Sequence, residues 1–443
     1  MTRNKDLKKK IRARMAKTGE RYSTARANVV GNATSRTKAP AFGGVHAETA
    51  AIRSFLHGAG VDDPRTKQPF SEAMVLGIGG GLGAAYAVFE YAGHAPHLYV
   101  ASRTGHQYPY TADFLNNVCE RLGVAISIQE TGGKVGANKQ LRTAVADGRP
   151  AIAWVDMASL PYWQLPHEQV GAMPHMVLVT DIDDERDRAT IYDYSRRGFS
   201  IPMTDLNAAR ARLRKAKNRL ASVDEGAAVA DLAAAVRAGL KACVKSLDGE
   251  PPAKAMAKNW GLRGLAKWAD LANDNKNKKG WPRQFDRGAN LYAGLRQGYF
   301  WIEASGTGGG GFRPLYAQFL NEAAAVLKTP ALANLGERYK ELGAMWTNLA
   351  HTMLPDSVPL LSEARALLDA KRDSLHDLGP DAAAEISSAN ERLLEIEGEV
   401  ANSFPLDEAA TSQLYVDIAT QVRAIYDAET AAAETLAQLA AGV

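Results

Sequence analysis

The chain has 443 residues, too many for one typical domain, so two or three are expected. Its 46% hydrophobic and 23% charged residues are ordinary for a globular protein with a real core. No apolar run reaches the roughly 18 residues of a membrane span. The charged N-terminus lacks a signal-peptide core, and Cys119 and Cys243 form no disulfide framework, so a cytoplasmic protein is expected.

The net charge of +4 is unevenly spread. Residues 1–40 carry twelve Lys and Arg against Asp6 and Glu20, a segment charge of +10 that leaves −6 on the rest. This segment reads as a basic arm for nucleic acid, an anionic membrane or an acidic carrier protein, or as a solvated helical extension. Tyr22 is its only aromatic residue, which argues against base stacking. Leu7, Ile11 and Met15 recur at helical spacing, and Gly19 is a candidate C-cap. GNATSRTKAPAFGG, residues 31–44, is a linker by composition.

A mixed region follows. AETAAIRSFLHGAG predicts a short helix, with Ile52, Phe55 and Leu56 as its apolar stripe and Gly58 and Gly60 as its stop. FLNNVCERLG predicts another. AIAWVDM, HMVLVTDID and RATIYDYS read as strands, the last two closing a hairpin around DERD. From about residue 205 alanine is abundant, strand-like runs vanish, and long stretches carry helical apolar spacing between breaks such as GTGGGGFRP and LGPD. The expected fold class is α+β: a basic extension over residues 1–40, an α+β domain over 41–205 and an all-α domain over 206–443.

Three constellations carry candidate chemistry. The first is position 47, His175 and Asp193. A cysteine hydrolase or acyltransferase presents its nucleophile in a helix's first turn, where amides and the helix dipole favour thiolate. A histidine on a distant strand moves the proton, and an acidic or amide group holds its tautomer. The interval from 47 to 175 is 128 residues, near the roughly 130 expected of papain-like enzymes. Asp193 lies on the partner strand of the hairpin that carries His175, so cross-strand contact is expected. Yet position 47 is Ala47, flanked by His46 and Glu48, which are candidate substrate contacts with too few further ligands for a metal site.

The second is SEAMVLGIGGGLGAAYAVFEYAG, where Gly79, Gly81 and Ala84 satisfy a loose dinucleotide pattern after an apolar run. The acidic residue about 20 positions on is missing, so a glycine turn for close backbone approach competes with it. Glu72 and Arg103 bracket the turn and join Gly79, Gly80 and Gly81 as candidate substrate contacts. The third is GTGGGGFRPLYAQFLNEAA, a glycine run leading into a helix with Arg313 and Pro314 at its start. Phosphate or acyl-carrier contact through Arg313 competes with a plain interdomain turn. Cys119 and Cys243 lie in line with apolar neighbours and are expected in the core.

GGVHAETAAIRSFLHGAG, SEAMVLGIGGGLGAAYAVF, ASRTGH and HMVLVTDIDDERDRATIYDYS, in that order, resemble the N-terminal domain of the butirosin biosynthesis protein H type. The remainder, with GTGGGGFRPLYAQFLNEAA and GAMWTNLAHTMLP, is similar to the uncharacterised helical domain that follows it. The resemblance covers about residues 40–440. It implies a first domain of the papain-like, bacteriocin-processing cysteine-peptidase type. It also implies an acyltransferase that moves an aminoacyl group from an acyl carrier protein to an amine, with no cofactor. His175 would be the general base, Asp193 its orienter, and position 47 the cysteine after His46. Ala47 departs from that pattern at the reacting atom. The glutamine six residues earlier is also absent, since position 41 is alanine, and no oxyanion donor is assigned. Three readings stay open: an acyltransferase or amidohydrolase scaffold silenced by Ala47, a natural pseudoenzyme that binds an acyl carrier, peptide or amine, or an interaction protein whose helical domain and arm matter more than the cleft. The alanine-rich helices leave a homodimer open.

Overall fold

The computed structural model describes residues 9, 12–17, 43–103, 112–146, 148–165, 170–171, 173–249 and 254–443. Residues 12–17 are helical; the expectations for the linker and for the rest of the basic arm lie outside the described residues.

Helix α1 (Ala47–Gly58) buries Ile52, Phe55 and Leu56 completely, because spacing of three and four residues sets them on one face. Helix α2 (Glu72–Gly79) begins at Ser71, whose hydroxyl accepts the Met74 N–H at 2.9 Å. Strands β1 (Leu82–Phe89) and β2 (His97–Arg103) pair as an antiparallel ribbon. Helix α3 (Asp113–Leu122) ends on Gly123 in the left-handed conformation.

The chain then builds a six-stranded antiparallel sheet from β3 (Ile126–Gln129), β4 (Ala151–Asp156), β5 (Pro174–Asp183), β6 (Arg188–Tyr192), β7 (Phe199–Pro202) and β8 (Leu220–Val223). The spatial order is β3-β8-β4-β5-β6-β7. Helices α4 (Lys134–Ala146) and α5 (Met203–Arg212) lie between its strands in sequence. The expected β5–β6 hairpin is present, with Leu178 opposite Tyr192. Strand β8 corrects the expectation that strands end near residue 205: the chain re-enters the sheet between β3 and β4.

Side-chain alternation divides the sheet. Ile152, Trp154, Met176 and Leu178 share a core with Phe55, Leu56, Leu76 and Leu115. Val155, Val177, Val179 and Ile191 face a second core with Leu141 and Leu206.

The rest is helical: α6 (Leu232–Asp248), α7 (Leu262–Leu271), α8 (Trp281–Gln284), α9 (Ala289–Tyr299), α10 (Arg313–Leu327), α11 (Ala331–Met353), α12 (Pro359–Leu378), α13 (Ala383–Asn402) and α14 (Glu408–Gly442). A π-helical turn, Phe300–Ala304, extends α9. Among the described residues, no helix is long and apolar enough to cross a membrane. The molecule thus joins a sheet-containing N-terminal region to a helical C-terminal one. The first core also takes in Leu240, Cys243, Phe319 and Leu436 from the helical region. The β1–β2 ribbon inserts Tyr86, Leu98 and Val100 into the helical core around Trp268 and Trp346.

The glycine block at 77–81 is part of this junction. A methyl group added at Gly77 would lie 2.1 Å from the Phe319 ring, and one at Gly79 would lie 2.2 Å from Phe114. At Gly81, where φ is +67°, it would meet Tyr316 at 2.6 Å and the Cys243 sulfur at 3.0 Å. The turn runs from a helix into a strand, the reverse of the strand-to-helix order that a dinucleotide fingerprint requires. Close packing explains these glycines, and the dinucleotide pattern is coincidental.

Candidate functional site

His175 stands at the start of β5, and Asp193 follows the last residue of β6. Continuing the register past Tyr192 puts Asp193 opposite Val177, on the sheet face that His175 also presents. The His175 Nε2 lies 2.7 Å from Asp193 Oδ2, with both side chains buried. The same oxygen accepts the Tyr162 hydroxyl at 3.1 Å, and Oδ1 accepts the Tyr194 N–H at 2.9 Å. Burial and the adjacent Asp193 raise the Tyr162 pKa well above its usual value, so Tyr162 stays protonated and donates. An Nε2–H donated to a carboxylate leaves Nδ1 as the imidazole's acceptor. Trp163 packs edge-on against the ring, with centroids 5.8 Å apart.

Ala47 is the first residue of α1 and is half-buried. Helix α1 packs on β5, and Ala47 itself lies against the core that contains Val155, Tyr162 and Val177. Backbone bonds tie the segment before it to the chain just past Asp193: Gly44 N–H donates to the Tyr194 carbonyl at 2.9 Å and Gly43 N–H to the Ser195 carbonyl at 3.2 Å. The structure therefore gathers the approach to position 47, Asp193 and His175 at one end of the sheet.

Glu72 organises that approach from α2. Its carboxylate accepts the Val45 N–H at 2.8 Å, the His46 N–H at 3.2 Å and the Thr49 hydroxyl at 2.8 Å. Glu48 makes a buried ion pair with Arg103, whose guanidinium sits 4.2 Å above the Phe114 ring centroid. The expectation that Glu72 and Arg103 contact substrate is thus corrected: both are buried and engaged within the protein. His46 meets the Phe312 ring edge-on at 4.9 Å, with its Nε2 3.4 Å from Glu48. Burial lowers its pKa, partly countered by Glu48.

Phe312 belongs to the second glycine run, which packs on the approach to α1. A methyl group at Gly306, where φ is +79°, would lie 2.8 Å from the Val45 carbonyl oxygen. The Arg313 expectation fails for a physical reason. Its guanidinium is fully buried, 2.6 Å from Glu429 and stacked over Trp346, so it is closed to an external phosphate. Gly79, Gly80 and Gly81 are likewise buried in the packing described above. Burial pushes the Cys119 thiol up to about 12 and Cys243 up to about 11, so both persist as inert thiols in the core.

Residues 46–194 match the family described as butirosin biosynthesis protein H, N-terminal, and residues 204–370 match a domain of unknown function, DUF4872. The chain belongs to the butirosin biosynthesis protein H-like family. No curated protein matches it. In this butirosin biosynthesis protein H-like chain, Tyr162, Trp163 and Phe312 escaped sequence reasoning. The aromatic pair PYW just beyond β4 was the available signal for the first two.

Proposed function

We propose that this protein is built on the site of a cysteine-dependent acyltransferase of papain-like arrangement, with Ala47 in the nucleophile's position. It holds an acyl-carrier thioester or its amine acceptor without turnover. The observation that carries the reading is the His175–Asp193 pair at 2.7 Å, whose geometry reserves Nδ1 for a partner. The bonds joining Gly43 and Gly44 to the chain past Asp193 support position 47 as that partner.

With a thiol at position 47, His175 would take its proton and the thiolate would attack the thioester carbonyl. The carbon–sulfur bond to the carrier would break, releasing the carrier thiol and leaving an acyl group on the protein. An amine would then attack that carbonyl, the bond from the acyl carbon to the position-47 sulfur would break, and the amine's proton would pass through His175 to the departing thiolate. Glu72 already occupies the Val45 and His46 amides. Stabilisation of the oxyanion therefore falls to amides from Ala47 onward, at the positive end of α1, which the His46 side chain leaves uncapped. A methyl group forms no such bond, so donor and acceptor binding are what remain.

The test is Ala47→Cys incubated with an N-acetylcysteamine thioester and read by intact-protein mass. An acyl adduct is expected on the single variant and is expected to vanish in Ala47→Cys/His175→Ala. Absence of any adduct on the single variant across short and long acyl donors would sink the reading.

A further inference from the structure

On the helical region, α7 and its flanking segments border an open surface hollow of about 560 Å³. It shares no residue with the His175 site. Lys258, Arg263, Lys267 and Lys279 line it over an apolar floor of Ala266 and Leu271. An adjoining hollow of about 420 Å³ shares Arg263 and adds Lys245, with Asp248 as its one acid.

The charges here are unbalanced in an informative way. Two carboxylates also line the larger hollow, and both are engaged. Asp270 is ion-paired with Arg423. Asp274 Oδ1 accepts the backbone N–H groups of Lys276 and Asn277 at 3.0 and 3.1 Å. Among the described residues, Lys258, Lys267 and Lys279 have no ion-pair partner. Arg263 donates to the Gly249 carbonyl at 2.6 Å. Four cations therefore share one hollow with two carboxylates, which leaves it net positive by two. They do so in the part of the chain that is net negative once the basic arm is set aside. The crowding is felt: burial, then Lys279 and Lys258, lower the Lys267 pKa. Mutual repulsion of this kind is relieved when an anion fills the space between the cations.

We infer that this hollow binds a small organic diphosphate, its phosphoryl oxygens held by Lys258, Arg263, Lys267 and Lys279 and its apolar part resting on Ala266 and Leu271. A diphosphate places several oxygens among the four cations at once. A single phosphate reaches fewer of them, and each charge-assisted bond lost weakens binding about tenfold.

Calorimetric titration of the full chain tests this, with inorganic pyrophosphate, ADP and AMP as probes. ADP is expected to bind at least as tightly as pyrophosphate and about tenfold or more tightly than AMP. Lys279→Gln, at an exposed position, is expected to weaken ADP about tenfold. Lys258→Gln/Lys267→Gln/Lys279→Gln is expected to abolish its binding, with an unchanged circular dichroism spectrum. Neutralising Lys8, Lys9 and Lys10 in the basic arm should leave it unaltered. ADP binding that survives in the triple variant and disappears in the arm variant would assign the anion to the arm and overturn the inference. So would equal affinity for ADP and AMP, or no ADP binding at millimolar concentration.

Discussion

The two glycine runs look alike in sequence and do different work. The first, at Gly77–Gly81, lies inside the core and lets α2 approach α10 ring against backbone. The second, at Gly306–Gly311, winds through positive φ at Gly306 and Gly308–Gly311 and lays its backbone on Val45 and His46. The first therefore holds the two regions together. The second shapes the approach to position 47. A glycine run announces that backbone comes close to something; whether that something is a ligand, a ring or another loop is decided by residues far away in sequence.

Substitutions at the two runs should separate those jobs. Gly77→Ala is expected to have the largest effect, about 3 kcal/mol of lost stability in urea unfolding, because Phe319 has no room to yield. An unchanged midpoint would show that the close approach does not exist. Gly81→Ala combines positive φ with contacts to Tyr316 and Cys243, and about 2 kcal/mol is expected from the same measurement.

Gly306→Ala should behave differently. Stability is expected to fall by about 2 kcal/mol, as at Gly81, but acylation should fall with it. In the Ala47→Cys background, acylation should slow about tenfold or more as Val45 and His46 shift. Acylation that is unchanged in Gly306→Ala, or slowed as much by Gly81→Ala, would erase the distinction between the runs. Tyr162→Phe removes one donor from Asp193 and is expected to cost about 1 kcal/mol, with a shifted pH profile of acylation in that same background.

The smallest effect concerns acid stability. Burial holds the His46 pKa below its usual 6.5, with Arg103 acting the same way and Glu48 and Glu72 opposing. The unfolded chain therefore takes up a proton that the folded protein refuses. The stability at stake is fully present above pH 6.5 and is lost as pH falls from there toward the lowered value. His46→Gln should flatten that limb of the unfolding free energy, measured from pH 7 down to 5; a steeper limb would reverse the assignment.

Much of the fold could be read from local pattern. Helix α1, the β5–β6 hairpin and the helical remainder follow from apolar periodicity, and His175 and Asp193 share one hairpin face because pairing and alternation put them there. What escaped depends on partners remote in sequence. Arg313 looked available for phosphate because Glu429, 116 residues away, is invisible to any local window. Arg103 meets Glu48 across 55 residues. Strand β8 is only four residues long and follows a basic, turn-rich stretch, too little alternation to register.

The shared core also constrains how such chains are inherited. A recombination event between residues 194 and 204 would fall neatly between the two matched segments. It would also give Gly77 and Gly81 new neighbours in place of Phe319, Tyr316 and Cys243, and give Val45 a new loop in place of Gly306. An incoming helical half would have to arrive with rings and glycines already in register, so hybrids of distant relatives should fold poorly even where each half is sound in its parent.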